Sequence, residues 1–258
     1  MGNVSNILKA WQRLLAIFLV ALCYGYFGGL VLIFLFGVDP FQLFGLSTVG
    51  LQHVGSPVIA RSAELHIDPA VVIFAFNTLA TFTIASLLSA ATLLNPDRMG
   101  EFPANLRKSF LRDPTINLFY PMQEFRSIRQ RQLRPIFIWL RVLPAAPLLV
   151  LGLMAGGMMA SAHAVIGSLE YVAALLIPHG IFEVSAILLG AALPSSAYLL
   201  IKKDLEAGAT EKAFCKITRF SRSRAIKASM LAIVLLLAVA SVIEAHLTGT
   251  IAAWVRSF

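Results

Sequence analysis

Residues 69–94 read PAVVIFAFNTLATFTIASLLSAATLL, 26 positions without one Asp, Glu, Lys or Arg. As a helix rising 1.5 Å per residue, the run is roughly 39 Å long, enough for a hydrocarbon layer about 30 Å thick. It is too long and too uniformly apolar for the buried helix of a soluble domain. We therefore read it as a membrane span and search the rest of the chain for others.

Four more stretches qualify: 14–36, 136–162, 171–201 and 228–247. The composition agrees, with 258 residues that are 58% apolar and only 13% charged and a mean hydropathy of +0.80. That balance excludes an ordinary soluble globule, a disordered chain and a collagen-like fibre. The expected fold is an all-α polytopic transmembrane helical bundle of about five spans, forming a single transmembrane domain over residues 1–258.

The net charge of +8 is first an orientation signal. Nineteen of the 21 basic residues lie in the N-terminal tail and in the basic loops 95–135 and 202–227 or at their borders, leaving Arg61 and Arg256 on the other side. Basic residues collect on the cytoplasmic face, so the N-terminus is expected inside and the C-terminus outside. Nucleic acid is not an expected partner.

Lys9 and Arg13 precede the first span, whose long apolar run lacks an A-x-A site, and Leu22 before Cys23 does not suit lipoprotein cleavage. An uncleaved first span is expected, with Val4, Ile7, Leu8 and Trp11 lying along the interface as an amphipathic lead-in. Cys23 and Cys215 fall at different membrane levels and are not expected to pair. The apolar content of 37–68 suggests a re-entrant or surface-lying helix rather than a free loop. Residues 95–135 mix aromatic side chains with Arg107, Lys108, Arg112, Arg126, Arg129, Arg131 and Arg134. This suits either a surface for anionic lipid or a partner protein, or a solvated orienting loop.

Few polar side chains fall within the spans. Asn77, His179 and Glu183 do, and Glu244 and His246 stand near the end of the fifth. Ionisable groups at that depth are costly and mark function or a buried clamp. His179 and Glu183 are four apart and share a helix face, continued by the small residues Ala186, Gly190 and Pro194. Pro178 lacks an N–H, so the fourth span is expected to kink or break there, beside Gly180. Gly25 with Gly29, and Gly152 with Gly156, are spaced for close helix packing. No catalytic triad, phosphate-binding loop or H-E-x-x-H zinc motif is present. Neither a catalytic residue nor a metal or other cofactor is expected, and an intramembrane metal-dependent hydrolase is a minor alternative.

The segment Leu175-Leu176-Ile177-Pro178-His179-Gly180-Ile181-Phe182-Glu183-Val184 resembles the L-x-P-H-G-x-x-E signature of the stage II sporulation protein M family. Val242-Ile243-Glu244-Ala245-His246-Leu247-Thr248 is similar to that family's closing I-E-A-x-x-T, and Asn77 stands in for its intramembrane asparagine. The resemblance covers about 70–250 and departs at Gly249, after Ala192 and in the length of 95–135. It implies a polytopic helical membrane protein without catalysis of its own, whose namesake acts with peptidoglycan hydrolases as an anchor or scaffold. The expected function is a membrane scaffold or assembly subunit of the cytoplasmic membrane. Its expected partners are lipids, other membrane or peripheral proteins, and a second copy of the chain. The alternative is a transporter or channel subunit with an ion, proton or small-solute path through Asn77, His179, Glu183 and Glu244.

Overall fold

In hydrocarbon every backbone amide must be satisfied within its own segment, which leaves helices for an apolar chain of this kind. The computed structural model describes residues 2–48, 56–95, 119–128 and 133–255, and each regular element among them is helical. Helices α1 (Gly2–Phe34), α2 (Pro40–Ser47), α3 (Ser56–Glu64) and α4 (Pro69–Ala90) come first, the last extended by a 3-10 turn at Ala91–Leu94. Then follow α5 (Gln123–Arg126), α6 (Arg134–Phe137), a π-helical turn (Ile138–Val142), α7 (Ala145–Ile166) and α8 (Leu169–Ala207). The chain continues through α9 (Thr210–Ser221), α10 (Arg224–Val242), a second π-helical turn (Ile243–Leu247) and α11 (Thr248–Val255). Among the described residues five segments are long and apolar enough to cross a membrane: Asn3–Phe34, Pro69–Leu94, Arg134–Ile166, Leu169–Ala207 and Arg224–Ile251. The protein is an all-α, multi-pass membrane protein.

Several local expectations change. The lead-in does not form a separate interfacial helix, because α1 is continuous from Gly2. Ile7, Ala10 and Leu14 recur at helical spacing and are buried, while Val4 and Leu8 stay exposed. The fourth span is not broken at Pro178, and α8 runs as one helix of 39 residues through both Pro178 and Pro194. A helix-interior proline costs about 3 kcal/mol, and the helix nevertheless continues on both sides to buried positions at Val172, Ala186 and Leu188, all at most 1% exposed. Gly180 faces open space, so it marks neither a break nor a close contact.

The interruption falls in the third span instead, at a turn over residues 143–144. Pro144 and Pro147 lie within one turn of each other, and Pro144 cannot donate back to Leu140. The backbone widens before it, with the Leu143 N–H donating to the Ile138 carbonyl at 2.9 Å, the i−5 bond of a π turn. Residues 202–227 are also not simply a loop, since they contain α9. Residues 37–68 do carry helix, in α2 and α3.

The chain divides into two compact units. The first comprises Met1–Arg13, Phe82–Ala146 and Leu189–Met230. Its core includes Phe125, Phe137, Tyr198 and Phe220, all at most 2% exposed. Phe125 meets Phe137 edge-on at 5.7 Å, and Phe137 meets Tyr198 the same way at 5.4 Å, the arrangement that ring quadrupoles favour. The Trp139 indole N–H donates to the Leu87 carbonyl at 2.9 Å.

The second unit comprises Leu14–Thr81, Pro147–Leu188 and Leu231–Phe258. Its central seam joins α1 to α7 through the glycines read from the sequence. A Cβ added at Gly25 would collide with the Leu153 backbone, and one at Gly156 with the Leu22 carbonyl oxygen and the Tyr26 nitrogen. One at Gly29 would lie 2.7 Å from the Ala160 Cβ. Helices of this kind associate by such close approach, because lipid tails supply no hydrophobic drive between spans. Tyr26 Oη and His163 Nδ1 share a 2.6 Å hydrogen bond across the seam.

Gly156→Ala should therefore force the two backbones apart and cost about 1–3 kcal/mol, the usual range for overpacking. Gly180→Ala should cost nothing. Thermal unfolding of both variants in detergent checks the contrast, and equal midpoints would contradict the seam.

Candidate functional site

On α8, His179 and Glu183 are one turn apart and face the same way. The second π-helical turn brings Glu244 to them: one ligand-competent atom from each of His179, Glu183 and Glu244 lies within 4.8 Å of the others. All three side chains are half-buried, and all three belong to the second unit. The Thr248 hydroxyl donates to the Ile243 carbonyl at 3.1 Å and also contacts His179 Nδ1 at 3.4 Å. A hydroxyl has one proton, so if it is spent on Ile243 the oxygen accepts from Nδ1–H. This orients the ring and leaves the Nε2 lone pair free.

Asn77 is half-buried on α4 and shares no hydrogen bond with the trio among the described residues. His246, which the motif also contains, turns elsewhere, with Nε2 at 3.2 Å from Asp68 Oδ1. The trio offers one nitrogen and two carboxylates from two helices. It could hold a cation or share protons, and a nucleophile with a matched base cannot be read from it.

The second feature is basic. Residues 213, 214, 217 and 220 recur at helical spacing on α9, and Ala213, Phe214, Ile217 and Phe220 are buried in the first unit. The opposite face and its flanks expose Lys203, Lys212, Arg219, Arg222, Arg224 and Lys227. Asp204, with a side chain only 8% exposed, clasps this helix through Lys216 at 2.5 Å and Lys212 at 3.6 Å. The apolar periodicity that marks α9 is visible in the sequence, but the density of lysine and arginine masks it as a loop.

The expected basic surface at 95–135 fares differently. Arg107, Lys108, Arg112, Arg129 and Arg131 lie outside the described residues. Arg126 is exposed. Arg134 is half-buried, with its guanidinium 5.3 Å from the Tyr120 ring centre and 5.4 Å from that of Phe125, within cation–π range. Phe125 and Ile128 are buried, and Glu124 pairs with Lys202 at 2.9 Å and with Arg141 at 3.9 Å. The described part of this region packs into the first unit, because its aromatic residues are core material.

Residues 135–249 match the family model of stage II sporulation protein M. Over this part, a little under half of its length, the chain is similar to that family. The family segment includes the whole trio and both motif stretches, whereas Asn77 lies before it. No curated protein and no solved structure matches the chain.

Asp204→Ala should free α9 at its start, leaving Lys216 without its closest partner. We expect a loss of about 1–3 kcal/mol, the penalty for stranding a partly buried polar group, and faster proteolysis near Gly208. Limited digestion of the detergent-solubilised chain measures it.

Proposed function

We propose that this protein is a membrane scaffold or assembly subunit of the cytoplasmic membrane, which recruits partner proteins through a basic surface on its inner side. The observation that carries the reading is α9. An apolar face sinks it into the first unit and Asp204 locks it there, so that its lysines and arginines are held outward in a fixed pattern rather than on a free loop. A pre-ordered basic surface suits acidic protein segments and anionic lipid headgroups, and it loses less entropy on binding than a disordered one. The similarity of residues 135–249 to the stage II sporulation protein M family supports a non-catalytic role through its namesake.

Exposed Cys215 on α9 provides a direct test of side. In a Cys23→Ser background, an impermeant maleimide should label Cys215 in inverted membrane vesicles and spare it in right-side-out ones. The opposite pattern would refute the inward placement.

Recruitment is tested by reversing Arg219, Arg222 and Lys227 to Glu together. The variant should insert and fold normally yet lose the chains that co-purify with the unaltered protein in mild detergent. Retention of the same partners would refute a recruiting role for this surface.

The half-buried trio favours a second reading, a transporter or channel subunit. In that case Glu183→Gln should abolish pH- or ion-dependent flux in proteoliposomes, and the α9 variant should leave it intact.

A further inference from the structure

We infer that His179, Glu183 and Glu244 bind one first-row divalent transition-metal ion, which staples α8 to the π-helical turn at Ile243–Leu247. This does not rest on the scaffold reading.

Geometry is the first argument. Ligands around a tetrahedral zinc, each about 2.0–2.1 Å from the ion, are separated from one another by roughly 3.3 Å. The three ligand atoms already lie within 4.8 Å of one another, so each pair closes by at most about 1.5 Å. Half-buried glutamates reach that far by rotamer adjustment alone.

Charge is the second. Among the described residues no Lys or Arg pairs with Glu183 or Glu244. Two facing carboxylates at this depth are costly unless something balances them. A divalent cation brings the site to neutrality in one step.

The third is the imidazole. Metal-bound histidines donate their second ring N–H to an oriented acceptor, which fixes the tautomer. Thr248 suits that position: with its own proton donated to Ile243 at 3.1 Å, its oxygen can accept from His179 Nδ1–H at 3.4 Å, the tautomer that leaves Nε2 for a metal. The π turn contributes to both shells, because Glu244 lies within it and Thr248 directly follows it. Helical distortions of this type are frequent at functional sites.

One nitrogen and two carboxylate oxygens, without sulfur, suit zinc, manganese or iron(II) better than copper(I). The imidazole disfavours calcium and magnesium. No H-E-x-x-H spacing is needed, since the third ligand arrives from another helix.

The test uses the full chain in detergent, stripped with a chelator and titrated with zinc by equilibrium dialysis, with metal counted by mass spectrometry. We expect about one zinc per chain at micromolar concentration or below. Glu183→Gln and Glu244→Gln should each weaken binding at least tenfold, and Thr248→Val should weaken it to a lesser extent. His246→Ala should leave it unchanged. Zinc should raise the unfolding temperature of the unaltered protein but not of the Gln variants. In chelator Glu183→Gln should be at least as stable as the unaltered chain, since it removes a like-charge neighbour. A variant that fails to fold is replaced in the comparison by Thr248→Val, whose hydroxyl touches no metal.

Absence of zinc binding by the unaltered chain would overturn the proposal and leave the carboxylates balanced by protons. So would undiminished binding by the folded Gln variants, or loss of binding in His246→Ala alone.

Discussion

The structure depends above all on the requirement that backbone amides in hydrocarbon find partners within their own segment. A proline inside a span removes one donor, and this chain meets the problem in two ways. Pro178 and Pro194 are each single interruptions in α8, which stays one continuous helix through both. Pro144 and Pro147 fall too close together for that. The backbone there passes through a π turn, in which Leu143 bonds to Ile138, and then a true turn before α7 resumes.

Once helices are fixed by that rule, what holds them together cannot be the hydrophobic effect, because lipid is as apolar as any side chain. In the second unit close approach of backbones takes over. Gly25 and Gly29 on α1 meet Leu153, Gly157 and Ala160 on α7, while Gly152 and Gly156 meet the stretch from Phe18 to Tyr26. A glycine there is required by the absence of room, not by backbone conformation. The first unit is held differently, by interlocked aromatic rings and by ion pairs beyond the ends of the apolar runs. Phe125, Phe137 and Tyr198 form its centre, and Glu124 and Asp204 tie its helices.

The spans were legible from apolar run length alone, and 69–94 is reproduced to the residue by α4 and its terminal 3-10 turn. The glycine seam was legible from spacing. Of the expected kink or break at Pro178 the break does not occur, because a sequence shows where a donor is missing but not whether the helix continues past it. The two aromatic rings beside the half-buried Arg134 guanidinium were not legible, since composition shows a charge but not what it stacks on. α9 was hidden because its buried positions are outnumbered by basic ones. The meeting of Glu244 with His179 and Glu183 was suggested only through the family-like motifs. Its geometry depends on a π turn, which leaves no periodic trace in five residues.

The acids of the two units show what the trio needs. In the first unit two carboxylates have their countercharge from the chain itself: Glu124 has Lys202 and Arg141, and Asp204 has Lys216 and Lys212. In the second unit Glu183 and Glu244 face each other with an imidazole between helices and no lysine or arginine among the described residues. A lysine there would be neutralised permanently by one acid and would leave the other in excess. Two acids and a histidine instead form a cluster whose charge is set by what it takes up. The cluster therefore makes the contact between α8 and the π turn conditional on an occupant, whereas Glu124 and Asp204 make theirs unconditional.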